Sequence, residues 1–174
     1  MKIVKATAND LTILDEILQR TIVSLHNQGI NQWNDDYPNL DIYQEDLKND
    51  QLYKVIDHHQ IIASFVLNQD GENYDKDGSW NYLGDNYIVI HRLCLDCNYQ
   101  GKGLGKKILG LIIDLVKELG YDAIKLDCYT NNPAAQRLYQ SFNFNKVGET
   151  IYNTGTYYQD EQFELYEYIL KDNG

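Results

Sequence analysis

The sequence predicts an α/β (α+β) chain, with a mixed central sheet of about six to seven strands flanked by about four helices in one domain over residues 1–174. Three observations carry that prediction. Apolar residues switch between strand-like and helix-like spacing in the order strand, helices, strands, helix, strand, helix, strands. A glycine-rich stretch, Gln100-Gly101-Lys102-Gly103-Leu104-Gly105-Lys106-Lys107, joins an apolar strand to a periodic helix. The chain is 174 residues long and 43% hydrophobic, enough for one folded domain with a core.

The elements follow in order. Residues Lys2 to Thr7 alternate and are β-branched, and read as a first strand. Asn9-Asp10 offers a cap to a helix whose Leu11, Ile13, Leu14, Ile17, Leu18, Ile22 and Leu25 share one face, with Gly29 as its stop. The turn-rich segment Gln32 to Pro38 carries Trp33 and Tyr37, which either anchor the loop on the core or wall an acceptor pocket. Asp41 to Asn49 reads as a short helix with Ile42, Tyr43 and Leu47 inward. Leu52–Ile56 and Ile61–Leu67 form a hairpin through Asp57-His58-His59-Gln60, whose histidines read as solvated turn residues.

Residues Asn68 to Asn86 are polar and read as a long loop, with Tyr74, Trp80 and Tyr82 folding it back. Tyr87 to Leu95 is the next strand. The helix after the glycine loop places Leu104, Ile108, Leu111, Ile112, Leu115 and Leu119 inward and ends at Gly120. Ala123 to Tyr129 is a strand with Ile124, Leu126 and Cys128 on one face and Lys125 and Asp127 on the other. Asn131-Asn132-Pro133 opens a helix whose inner side carries Ala134, Ala135, Leu138, Tyr139 and Phe142. Strands at Lys146–Tyr152 and Phe163–Leu170 close the chain.

Charge and cysteine usage narrow the function. The net charge of -11 argues against non-specific nucleic-acid binding, which rests on basic side chains neutralising phosphates. It favours a basic acceptor such as an amine, while Lys102, Lys106 and Lys107 supply a local positive site at the glycine loop. No run of about 18 apolar residues exists to span a membrane, and the N-terminus lacks the pattern of a signal peptide, so the expected location is cytoplasmic. Three cysteines, Cys94, Cys97 and Cys128, give no disulfide framework. Cys94 and Cys97 are formally C-x-x-C, but Cys94 lies within a strand and no second ligand pair follows, so no metal site is expected.

A strand, a glycine loop and a helix start form an anion site, because first-turn amides and the helix dipole face the loop. Spacing selects among anions. No Gly-Lys-Ser/Thr sits at P-loop distance, and a dinucleotide fingerprint from Gly101 and Gly103 would need glycine where Lys106 stands. The pattern that remains is Q-x-x-G-x-G, filled by Gln100, Gly103 and Gly105. A second motif follows one strand later: Asn132-Pro133-Ala134-Ala135-Gln136-Arg137-Leu138-Tyr139, then Asn143-Phe144. Together, over His91 to Phe144, these resemble the acyl-CoA-binding core of the GNAT superfamily of N-acetyltransferases. The chain departs in having Asn143 where the family usually has glycine, and Asn is the next most tolerant residue of a left-handed helix end.

The resemblance implies acetyl-CoA as cosubstrate and a primary amine of a small molecule or peptide as acceptor. It implies that the amides of Gln100, Gly101, Lys102, Gly103, Leu104, Gly105 and Lys106 hold the pyrophosphate. It also implies that the backbone of Leu93, Cys94 and Leu95 pairs with the pantetheine arm, on a strand splayed from its neighbour. Asn132 would bond the cofactor near its sulfur, and Tyr139 would protonate the leaving thiolate. The family often places a glutamate on the strand before the loop, and Tyr87 to Leu95 holds no carboxylate. Asp127, His91 or a water held by backbone carbonyls are the base candidates. Cys94 and Cys128 are read as core residues. The missing glutamate keeps a non-catalytic acyl-CoA-binding module as the alternative, and a longer acyl chain as a third reading. Neither nucleic acid nor membrane is expected as a partner, and a homodimer is compatible with the sequence.

Overall fold

Strand patterning of the kind just described closes into one sheet in the computed structural model, which describes residues 1–71, 73–152 and 161–171. Its seven strands are β1 (Lys2–Lys5), β2 (Leu52–Asp57), β3 (Gln60–Asn68), β4 (Tyr87–Leu95), β5 (Ala123–Tyr129), β6 (Asn145–Tyr152) and β7 (Glu161–Ile169), in the order β1-β2-β3-β4-β5-β7-β6. The helices are α1 (Leu11–Asn27), α2 (Leu40–Lys48), α3 (Tyr74–Asp77), α4 (Leu104–Glu118) and α5 (Pro133–Ser141). Two compact units divide the chain: Met1–Leu67 with His91–Ile112, and Asn68–Ile90 with the described residues from Ile113 onward.

In the first unit β1, β2 and β3 run antiparallel in sequence order. The turn between β2 and β3 is only His58-His59, both left-handed at φ 46° and 65°. Two consecutive positive φ values match the right-handed twist of the strands they join. Before α1, the Asp10 carboxylate accepts the Thr7 N–H at 2.8 Å and the Lys54 ammonium at 2.7 Å. The cap therefore starts at Thr7 rather than at Asn9, because a short 3₁₀ turn over Ala8–Asp10 precedes the helix. Leu14, Ile17, Leu18 and Ile22 of α1 pack with Tyr43, Leu52, Val66 and Cys94 in one buried cluster. Trp33 belongs to that cluster, so it anchors its loop on the core. Ile13, expected inward, is exposed.

In the second unit β4 pairs parallel to β5 over Tyr87↔Ala123, Ile88↔Ile124 and Val89↔Lys125. β5 pairs antiparallel to β7, and β7 antiparallel to β6. The segment read as a long loop contains α3, a single turn whose Tyr74 packs with Val89 and Leu165. Fully buried Glu167 holds the rest of that segment, accepting the Asn81 N–H at 2.8 Å and the Asn81 side-chain amide at 2.6 Å. Lys125 is 3% exposed, its ammonium 3.8 Å from the Tyr87 ring centroid and 4.4 Å from that of Trp80.

Two helix faces differ from the expectation. On α4 the buried residues are Ile108, Leu109, Ile112, Ile113 and Val116, and Leu119 is exposed. The apolar residues of this helix occupy more than half its circumference, so spacing alone does not select the face. On α5 only Tyr139 is buried, and Ala134 is exposed. Among the described residues no helix is long and apolar enough to cross a membrane.

Candidate active site

In the first unit, one group of candidate residues lies at the end of β4 and in the loop after it. Asp96, 2% exposed, closes the strand. Its N–H reaches Ile62 O at 2.8 Å, and its carboxylate accepts the Asn98 N–H at 3.1 Å, starting a 3₁₀ turn over Cys97–Tyr99. Arg20 of α1 grips the same carboxylate with Nε at 2.8 Å and Nη2 at 2.6 Å. The Arg20 guanidinium holds the Asp96 carboxyl below its ordinary range, outweighing the opposing effect of burial. This ion pair fixes where the glycine loop begins.

Gln100 turns back on the strand, donating Nε2 to Leu95 O at 3.1 Å. Gly101 and Gly103 follow at φ 77° and 73°, with open space where a Cβ would stand. Glycine is thus required by the backbone conformation itself. The amides of Gly101, Lys102 and Gly103 have no hydrogen-bond acceptor among the described residues. Three neighbouring amides without partners, beside exposed Lys102, Lys106 and Lys107, form a nest for a polyanion at the N-terminus of the 15-residue α4. The donors fit a pyrophosphate.

Upstream, Leu93 and Leu95 are half-buried, and the side chain of Cys94 is within the core. Burial pushes the Cys94 thiol up to about 12, so it is no nucleophile at neutral pH. Only backbone groups of residue 94 can serve a ligand. Arg92 lies in the left-handed region at φ 50°, an uncommon conformation for a residue inside a strand. Its guanidinium donates Nε to Asp46 at 3.2 Å and Nη1 to the Tyr37 hydroxyl at 2.8 Å, and Nη2 also bonds Asp46. Sequence reading passed over Arg92. The signal available was a lone charge inside the apolar run from Ile88 to Leu95.

In the second unit, a separate group of candidate residues lies on β5 and α5. Asn132 caps α5, its side-chain oxygen accepting the Ala135 N–H at 3.2 Å. Asn143 ends the turn after α5 at φ 61°, the left-handed conformation expected of it. Tyr139 is 8% exposed, with ring centroids of Phe144 and Tyr166 at 5.7 Å and 6.1 Å. Its hydroxyl has no hydrogen-bond partner among the described residues. Burial, then the neighbouring Cys128 and Asp127, push its pKa well above the usual phenol range. The phenol therefore stays protonated through neutral and mildly alkaline pH. Cys128 is likewise pushed up to about 12 by burial. Asp127, a base candidate, accepts the hydroxyls of Tyr74 at 3.2 Å and Tyr152 at 2.5 Å. His91, another, is half-buried on β4. Among the described residues no cluster of His, Cys, Asp or Glu could hold a metal.

Comparison with known proteins bears on the family of the chain. The sequence model of the Acetyltransferase (GNAT) family matches residues 16–144. The chain is 34% identical over 112 residues to the spermine/spermidine N(1)-acetyltransferase of Bacillus subtilis (strain 168), covering 63% of this chain and 70% of that one. Among solved structures, a GNAT-family acetyltransferase from Streptococcus agalactiae superposes with a TM-score of 0.84 at 19% identity, covering 97% of this chain and 94% of that one. A Salmonella typhimurium acetyltransferase, solved with its cofactor acetyl-CoA, gives a TM-score of 0.71 at 18% identity, covering 100% and 96%. By these matches, and by its own two motifs, the chain belongs to the GNAT family of acetyltransferases and is an acyltransferase that uses acetyl-CoA.

Proposed function

We propose that this N-acetyltransferase acetylates a primary amine of a small cationic molecule, with a polyamine as the first candidate. Support comes from the net charge of -11 and from the relative named for spermine and spermidine. Acetyl-CoA supplies the thioester carbonyl that a neutral amine attacks, with the coenzyme A thiolate leaving.

The remaining roles are assigned to residues of the chain. The amides of Gln100 to Lys106 hold the pyrophosphate, those of Gly101, Lys102 and Gly103 foremost because they have no acceptor among the described residues. The backbone of Leu93, Cys94 and Leu95 pairs with the pantetheine arm, and an N–H at Cys94 or Leu95 polarises the carbonyl. Asn132 caps its helix and bonds the cofactor near sulfur. Tyr139 donates its proton to the thiolate and is reprotonated through solvent, which takes up the proton shed by the acylated nitrogen, so the net products are the amide and the free thiol.

The observation that carries the reading is Tyr139, a buried side chain whose hydroxyl is held protonated and makes no hydrogen bond among the described residues. A phenol kept protonated and engaged by no other group is free to give its proton to a leaving thiolate. The test is thiol release from acetyl-CoA across a panel of spermine, spermidine, lysine peptides and free amino acids. Turnover highest with the polyamines supports the reading, and absence of amine-dependent thiol release refutes it.

A further inference from the structure

We propose that Arg92 is a positioning residue, whose ties to Asp46 and Tyr37 hold β4 in a left-handed step and thereby set the backbone of Leu93 to Leu95. The inference rests on the reading above for what that backbone does, and on the following geometry for how it is held.

A left-handed arginine in a strand is disfavoured and persists only where its surroundings over-determine it. Here they do. Nε and Nη2 bond the two carboxylate oxygens of Asp46, and Nη1 bonds the Tyr37 hydroxyl. The Tyr37 ring lies under the guanidinium, 5.8 Å from its central carbon to the ring centroid. Asp46 is 6% exposed, and burial pushes its carboxyl up against the pull of Arg92. A buried carboxylate with one cationic partner holds that partner tightly, since moving away would leave it uncompensated. Asp46 belongs to α2 and Tyr37 to the segment before it, so both ends of the clamp are separate from β4 in sequence.

A positive φ reorients the peptide planes on either side of residue 92. Leu93, Cys94 and Leu95 follow directly, and Leu95 O already carries the Gln100 side chain. Without the clamp, residue 92 relaxes to an ordinary extended conformation and turns those peptide groups away. Small misplacements of groups that read a reacting carbonyl cost about 10- to 100-fold in rate.

Three variants separate positioning from a merely structural ion pair. Arg92→Met together with Asp46→Asn removes the clamp without leaving a buried charge. Arg92→Gly with Asp46→Asn also removes it, but lets residue 92 keep its positive φ. Arg92→Lys keeps the charge and loses the bidentate fork. The readouts are kcat and KM per folded molecule, and the backbone amide shifts of residues 93–95 by NMR. The Met pair should lower kcat about 10- to 100-fold and move those shifts. The Gly pair should recover most of kcat and the native shifts, and the Lys variant should fall between. Equal behaviour of the Met and Gly pairs, or native shifts in the Met pair, overturns the proposal. If the wild type shows no acetyl transfer, the functional reading fails by itself, while the amide shifts still decide whether the clamp sets the backbone.

Discussion

Replacing Gly103 tests why the loop needs glycine. At φ 73° an L-residue is disfavoured by about 1–2 kcal/mol. No atom lies within 4 Å of the position a Cβ would take, so that penalty is conformational and includes no clash. Gly103 is exposed and the amides of Gly101, Lys102 and Gly103 have no acceptor among the described residues, so no hydrogen bond there holds an alanine in the left-handed region. Alanine relaxes, the amide nest opens, and the penalty appears in ligand affinity while the melting temperature stays near wild type. A cost of about 1–2 kcal/mol is roughly a 5- to 30-fold rise in the acetyl-CoA Kd. Asn visits the left-handed region readily, so Gly103→Asn should stay within about 3-fold of wild type despite its larger side chain. Calorimetric titration of acetyl-CoA into the two variants reads this directly. If close approach of the ligand were the reason for glycine, Asn would bind worse than Ala, and that order refutes the reasoning.

Other outcomes follow from the same structure. Arg20→Met strips the buried Asp96 carboxylate of its partner. With Arg20 partly exposed, chemical denaturation should show a loss of about 1–3 kcal/mol. The Asp96 pKa is lowered on folding, so its contribution is complete above the unfolded value of 3.8 and is lost as pH falls through the lower folded value. An acid titration of stability should therefore be shallower in Asp96→Asn. Lys125 has the same sign of pH dependence for a different reason, since burial disfavours its charged form. Burial lowers its pKa against the pull of Asp75 and Glu167, so folded protein gives up this proton before unfolded protein does. Stability should rise between the lowered folded value and 10.5, and Lys125→Met should abolish that alkaline rise in melting temperature.

Much of the fold was legible because its strongest signals are local. β4 and β5 match their predicted bounds, since apolar runs with glycine or polar punctuation leave little choice. The left-handed Asn143 was legible for the same reason, a helix needing an end that Asn can supply. What escaped depends on contacts distant in sequence. α3 is a single turn held by Tyr74 against Val89 and Leu165, and no four-residue pattern announces that. Burial of Lys125 depends on Tyr87 and Trp80, each supplied by another segment. The Arg92 clamp needs Asp46 and Tyr37, about 50 residues away in sequence, and its φ is set by them rather than by its neighbours. The site motifs were readable as a pattern, whereas the reason for Gly101 and Gly103 emerged only from their dihedral angles.

Tyr139 as proton donor of an acetyl transfer is the role on which the proposed mechanism turns. The most direct measurement is kcat for Tyr139→Phe alongside its acetyl-CoA Kd and melting temperature. The hydroxyl has no partner among the described residues, so its removal should leave stability and cofactor affinity near wild type. Loss of a general acid should lower kcat by about 10²- to 10⁴-fold. Wild-type turnover in a folded, acetyl-CoA-binding Tyr139→Phe would contradict the claim.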